Sequence, residues 1–348
     1  MKLLLLILSL WLPLNAFCQE AKKEERTNWW GDTAGMLDMQ AEKTFELINN
    51  VLDETPPRIP EPLNRRLALL SLDNLLHDEK GDDRSSLHRF FINRIAKAAE
   101  EISTTSVKNG ARIWKLYNHG FIVKTRSVTI GFDIVGASSA RITGFEVPDS
   151  ILEKIIHECD VIFVSHYHRD HADFNVAEVA LRLGKKVVVP PKLWEDLSVT
   201  YLARHPTSSQ YLDIKNGKEL KVITWPGHQG PVLHNNIYIV TTPEGLTFAH
   251  TGDQSNAKDL LAIREIRKTV KTDVLFVNCW TPQIGELLKG FNPRLIITGH
   301  ENELGHTIDH REPYWLTYER LKGVSYQHVL MTWGEVFPYR KSFRKHLR

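Results

Sequence analysis

Six consecutive residues, His166-Tyr167-His168-Arg169-Asp170-His171, carry three imidazoles and a carboxylate directly after the apolar run VIFVS at 161–165. The run is short, β-branched and aromatic, which reads as a buried strand, and AEVALRLG, ending at Gly184, reads as the helix that follows. The cluster therefore falls at a strand end, where the chain turns toward a helix. In an extended segment, residues two apart point the same way, so His166 and His168 can grip one cation. Asp170 and His171, one step further into the turn, reach a second position nearby. With 16 His in 348 residues, chance gives such a cluster at a strand end only rarely.

These residues cannot close two metal shells, so later segments must contribute. TWPGHQG places His228 in a Pro-Gly turn after a strand. FAHTGDQ places Asp253 just past a strand, and IITGHENELGH places His300 at the end of another. All three stand where a strand hands over to a loop, which is where layered α/β scaffolds build their sites.

The rest of the chain supplies the frame. Residues 1–18 have one cation at Lys2, an apolar stretch from Leu3 to Leu14 and small residues at Ala16 and Cys18. That stretch is shorter than the roughly 20 residues of a bilayer span and reads as a signal peptide. The expectation is an exported chain, periplasmic or secreted, with no transmembrane segment once it matures. Residues 19–109 read as a helical segment. Leu37, Ala41, Phe45, Ile48 and Leu52 mark one helical face, a Leu-rich run spans 63–76, and capping residues at 82–86 precede Leu87, Phe91, Ile95, Ala98 and Ile102. From 110 to 348, strands come first in runs and then alternate with helices, twice over. That order predicts an α/β domain of two sheets packed face to face with helices outside. A helix is expected near 259–268 and one late strand over 326–337. Lys and Arg number 44 against 42 Asp and Glu, a balance that argues against a nucleic-acid partner.

HxHxDH, a PGH turn, a GD after a strand and a strand-terminal His, in this order, resemble the metallo-β-lactamase-fold hydrolase superfamily over roughly residues 110–337. The early NHG at 118–120, the HTGD form and the late WGE are most similar to its lactonase and N-acyl-phosphatidylethanolamine phospholipase D-like branch. Thr332 departs from that branch, some members of which carry a His there. The resemblance implies an αββα sandwich of two mixed sheets with outer helices. It also implies a ligand set: His166, His168 and His228 on one metal, Asp170, His171 and His300 on the other, and Asp253 bridging. His168 stands where the flavodiiron branch has a carboxylate, which disfavours oxygen reduction. Such N/O ligands suit zinc best, with manganese or iron open.

The expected activity is that of an exported binuclear hydrolase. A metal-bridging hydroxide, its proton taken by Asp170 or Asp253, would cleave an ester, lactone, amide or phosphodiester of a small-molecule or lipid-like substrate. A phosphodiesterase or nuclease of the same fold, or a non-catalytic metal-binding envelope protein, are the alternatives. Asp133, similar to the superfamily's strand-end carboxylate, is expected to anchor the histidine loop, and His119 to face substrate. Glu303, His306 and His310 are rim or proton-donor candidates, with His306 the reserve ligand. His250 is a lesser site candidate. Tyr167 is expected to point outward, Cys279 to be a packed thiol or rim residue, and Trp29 and Trp30 to anchor the helices.

Overall fold

The computed structural model describes residues 31–214 and 217–341. The signal-peptide reading and the Trp29–Trp30 anchor fall outside the described residues.

Three helices open the described chain: α1 (Thr33–Glu54), α2 (Leu63–Leu76) and α3 (Ser85–Thr104). Each buries the stripe its periodicity marks: Ala41, Phe45, Ile48 and Leu52 on α1, and Leu87, Phe91, Ile95, Ala98 and Ile102 on α3. Asp32 caps α1 by accepting from the Ala34 amide at 3.1 Å. The caps expected before α3 do not form. Arg84 stands at its N-cap without a side-chain capping bond, and Asp82 is drawn instead to the distant guanidinium of Arg311.

The strands follow as β1 (Ala111–Lys115), β2 (Phe121–Lys124), β3 (Thr129–Phe132), β4 (Val161–Phe163), β5 (Lys186–Val189), β6 (Thr200–Tyr201) and β7 (Gln210–Ile214). After them come β8 (Lys218–Gln229), β9 (Leu233–Thr241), β10 (Thr247–His250), β11 (Val274–Asn278), β12 (Leu295–Gly299), β13 (His328–Val329) and β14 (Val336–Tyr339). Helix α4 (Asp149–Glu158) precedes β4, and α5 (Phe174–Arg182) links β4 to β5. Two one-turn helices, α6 (Leu260–Ile263) and α7 (Ile266–Thr269), lie between β10 and β11. Helix α8 (Ile284–Phe291) links β11 to β12, and α9 (Tyr314–Leu321) follows β12.

Two seven-stranded sheets result, ordered β14-β1-β2-β3-β4-β5-β6 and β13-β12-β11-β10-β9-β8-β7. Both are mixed: β1 to β3 form an antiparallel meander, whereas β3-β4-β5 and β10-β11-β12 run parallel. Phe121, Phe132 and Phe163 of the first sheet and Tyr238, Phe248 and Phe276 of the second share one buried cluster. That is the layer between the sheets. A second cluster unites α1 to α3 with Trp114, Tyr117 and Trp333, so the helical segment shares its core with the sheet domain. The architecture is the expected αββα sandwich.

Three local expectations need correction. His228 is not in a turn: β8 runs through Pro226-Gly227 to Gln229, with His228 opposite His234 on β9. Pro226 is tolerated because β7 pairs with β8 only as far as Val222 and the isolated bridge from Arg204 reaches only Thr224, so its missing N–H costs no ladder bond. The helix expected near 259–268 is two single turns. The single late strand is two: β13 joins the second sheet and β14 the first. Gly334, at φ +73°, makes the reversal between them.

Candidate metal centre

The parallel strands β4, β11 and β12 end on one side of the sandwich, and the histidine loop leaves from the first of them. His166 is fully buried, His168 and Asp170 are half-buried, and His171 is fully buried. The loop after β10 brings Asp253 in beneath them. His300 follows β12 directly, with its backbone at φ +76° and its amide donating to the Asn118 carbonyl at 3.1 Å.

Three groups of donor atoms form, one of them His119, Asp133 and His250. Those of Asp170, His171, Asp253 and His300 lie within 4.8 Å of one another, as do those of His166, His168 and Asp253. Asp253 belongs to both of these. His171 Nε2 is 3.3 Å from Asp170 Oδ2 and 3.2 Å from Asp253 Oδ1, and His300 Nε2 is 3.2 Å from Asp170 Oδ2. His166 Nε2 is 3.7 Å from Asp253 Oδ2, is buried, and has no hydrogen-bond partner. A buried imidazole nitrogen costs about 1–3 kcal/mol if left unpaired. An unpaired one aimed at a shared carboxylate fits a cation ligand.

His228 stands outside all three groups. Its Nδ1 is 3.1 Å from an Asp259 oxygen, and its ring lies 5.3 Å from that of His234. The neighbouring Gln229 reaches the centre instead, donating to Asp253 Oδ2 at 3.1 Å.

The electrostatics follow from crowding. Burial opposes the charge of Asp170 and of Asp253, but His171 and His300 hold both carboxyls well below the usual carboxylate range. Burial also opposes protonation of His300, yet Asp253 and Asp170 raise it to about 10; the same carboxylates raise His171. His166, where burial dominates and His171 adds repulsion, falls to about 3. Protons on His171 and His300 thus balance the carboxylates, a role that divalent cations can take over.

Asp133, at φ +43°, accepts from the Ser165 amide at 2.7 Å and from the Ser165 hydroxyl at 2.6 Å. It also accepts His171 Nδ1–H at 2.7 Å, which leaves Nε2 facing the centre. Its carboxyl, despite burial, is held low by His250 and His171. His119 is fully buried behind this network, its ring 4.1 Å from that of His250. Enclosed there, it does not face an open substrate wall. His250 spends both ring nitrogens on backbone, at the His119 carbonyl and the Gly252 amide. On the open side, the exposed His306 stacks on His300 at 5.9 Å and Trp280 meets His300 edge-on at 5.6 Å. Glu303 is buried and accepts from Tyr117 Oη at 2.9 Å. His310 and Tyr167 are exposed, and Cys279 is a buried free thiol.

A ring of amides escaped the sequence reading. Asn118 donates to Asp170 Oδ2 at 3.0 Å while its carbonyl holds His300, so it braces two donor residues at once. Asn278 donates to Asp253 Oδ1 at 2.5 Å, and Asn235 accepts from the Asp253 amide at 3.0 Å. Gln254 donates to Asp259, which holds His228. The left-handed Asn118, φ +52°, was the one local signal, since Asn before His-Gly suits such a turn.

No protein-family model and no curated protein sequence matches this chain. Solved structures do. A metallo hydrolase, Igni18, from Ignicoccus hospitalis is similar at a TM-score of 0.53 with 16% identity, over 67% of this chain and 100% of its own. A structure described as a possible metal-dependent hydrolase from Veillonella parvula gives 0.51 with 14% identity, over 67% and 100%. The isothiocyanate hydrolase from Delia radicum gut bacteria gives 0.50 with 12% identity, over 66% and 99%. At such identities the likeness is one of fold. The chain shares the fold of these metal-dependent hydrolases.

Proposed function

We propose that this chain is an exported, binuclear metal-dependent hydrolase that cleaves an ester, lactone, amide or phosphodiester bond. The observation that carries the reading is the pair of donor groups sharing Asp253, with the buried His166 Nε2 left without a protein partner. Asp170, His171, Asp253 and His300 would hold one cation, and His166 and His168 with Asp253 the other. His228, its Nδ1 engaged by Asp259, keeps Nε2 free to join the second set. Zinc suits these donors best.

Two divalent cations bound there would supply Lewis acidity and bring a shared water from a pKa of 15.7 toward about 7. The chain's own groups do the rest. Asp170 Oδ2 is the more solvent-reachable of the two carboxylates, with its side chain 18% exposed against 1% for Asp253. It is therefore placed to accept a proton from the nucleophile and pass it on. Asn118 fixes its rotamer, and Asn278 and Gln229 keep Asp253 ionised by donating to both its oxygens. His171, oriented by Asp133, offers Nε2 only. No Ser or Cys nucleophile is required.

The test is elemental analysis of the purified chain, followed by turnover of ester, lactone, amide and phosphodiester substrates with and without chelator. About two metal equivalents and chelator-sensitive turnover are expected. One equivalent or none, or turnover indifferent to chelation, would sink the binuclear reading. Export is tested separately: expressed with its first 18 residues, the chain should be recovered outside the cytoplasm with a new amino terminus near Gln19.

A further inference from the structure

Lys115 ends β1 and shares a face of that strand with Ile113, which lies in the apolar layer between the sheets. It is fully buried where the alternation of the strand calls for an apolar side chain. Its ammonium reaches the other sheet at the end of β12. There it donates to the Glu301 carboxylate at 2.5 Å and to the Thr298 carbonyl at 3.3 Å. Glu301 is as deeply buried, and its second oxygen has no hydrogen-bond partner. The Tyr314 ring of α9 lies 5.8 Å from Nζ.

Taking an ammonium and a carboxylate out of water often costs more than their attraction regains, and an apolar pair of like volume is commonly as stable. Stability is therefore a poor reason for this pair, but its placement supplies another. Thr298 and Glu301 bracket His300, a donor residue of the proposed metal centre. His300 is left-handed at φ +76°, and Asn302 follows at φ +54°. Such backbone persists only where surrounding contacts enforce it. The His300 amide is held by the Asn118 carbonyl and the Asn302 amide by the Glu312 carbonyl. Lys115 grips the chain on both sides of His300 with one group. Against that pull, a Cβ at Gly299 would come within 2.3 Å of His119 Cδ2, so the strand end already lies hard against the first sheet. Held this way, His300 Nε2 stands 3.2 Å from Asp170 Oδ2 and 3.6 Å from Asp253 Oδ2.

We infer that Lys115 is a positioning residue for His300: its ammonium, with Glu301 as counter-charge, fixes the turn that aims Nε2 into the donor group. The inference rests on the metal-centre reading for what His300 then holds.

The experiment measures zinc affinity of the full chain by competition with a chelator, with and without Lys115→Met/Glu301→Met. The double replacement removes both charges together, so neither is left buried alone. In a His168→Ala background, which isolates the group of Asp170, His171, Asp253 and His300, it should weaken zinc about 10–100-fold. In a His300→Ala background it should add nothing, because its effect passes through His300. Equal losses in the two backgrounds would mean a general loosening of the fold and overturn the inference, as would no loss in either. Glu301→Gln keeps the shape and an acceptor for Lys115, and should give a smaller loss confined to the same background. A native chain that binds no zinc sinks the metal reading alone. Amide exchange at 298–302 in the metal-free chain then decides the role of Lys115: faster in the double variant if it holds the turn, unchanged if it does not.

Discussion

Two of the places where the molecule buries charge treat it oppositely. At the seam between the helical segment and the sheets, Arg65 and Glu335 are both buried and meet in two bonds of 2.6 Å, with Arg65 also donating to the Leu330 carbonyl at 2.8 Å. Arg94 donates to the Trp333 carbonyl at 2.7 Å, and Asp73 accepts from the amides of Tyr314 and Trp315 at the start of α9. These groups are closed among themselves. At the metal centre, two carboxylates and four imidazoles crowd together, and a buried nitrogen on His166 has no partner. Satisfied charge fixes how the parts assemble; unsatisfied charge marks where a ligand completes the structure.

Substitution should separate the two most sharply. Asp253→Ala removes the carboxylate common to both donor groups, so activity is expected to fall to background and metal content toward zero. Far-ultraviolet circular dichroism should stay that of the folded chain. Full retention of two metal equivalents would show that Asp253 does not bridge. Glu335→Gln should do the reverse. It removes the buried counter-charge of Arg65, leaving only Glu61 at 3.9 Å, at a cost of about 3–5 kcal/mol in denaturant unfolding, with metal stoichiometry kept in the folded fraction. A cost below about 1 kcal/mol would mean the seam is wetter than drawn.

Metal and pH sharpen the contrast. Zinc at a thousand times its dissociation constant should stabilise the chain by about 4 kcal/mol, seen as a rise in Tm that His168→Ala reduces along with one metal equivalent. No shift in Tm on adding zinc would count against a structural gain from the ion. One group from each region, His300 and Glu335, should lose its contribution at opposite ends of the pH scale. His300 is raised from 6.5 to about 10 in the metal-free fold. Its pairing therefore contributes fully below pH 6.5 and is lost as pH climbs through about 10. Glu335 is lowered from 4.5 despite burial, by Arg65 first and then Arg94. Its contribution is present above 4.5 and is lost as pH falls through its folded value. Zinc, replacing the protons, should flatten the alkaline limb, whereas the acid limb carries Glu335 together with Asp170 and Asp253, whose carboxyls are also held low in the fold. An alkaline limb unchanged by zinc would mean that it belongs to other groups.

What the amino-acid sequence made legible follows from this difference. His166, His168, Asp170 and His171 are close in sequence and sit at a strand end, so local geometry alone predicted their grouping. Asp253 and His300 were found because each ends an apolar run, and parallel strands deliver their ends to one side. His228 was misplaced locally, since Pro-Gly suggests a turn unless the strand edge is known to be free. The seam could not be read: Arg65 and Glu335 lie 270 positions apart, and nothing local to either requires the other. Nor could the amides. Asparagine and glutamine have no metal spacing or charge to betray them, so Asn278 and Gln229 become meaningful only once Asp253 is placed between them.

Asn118 tests the boundary between the two kinds of burial, because it is a satisfied group serving an unsatisfied one. Its side chain donates to Asp170 and its carbonyl accepts the His300 amide. Asn118→Ala keeps the carbonyl and deletes only the side-chain brace, freeing Asp170 to turn. Outer partners of metal ligands are worth about 10–100-fold in affinity or activity. The expected outcome is a loss of that size in kcat at unchanged KM, with zinc retained at saturating concentration. Asn118→Asp restores the shape but sets a second carboxylate beside Asp170, so it should be no better than alanine. If the aspartate variant were as active as the native chain, the brace would be steric packing rather than a hydrogen bond. Asp170 would then owe its position to the turn alone.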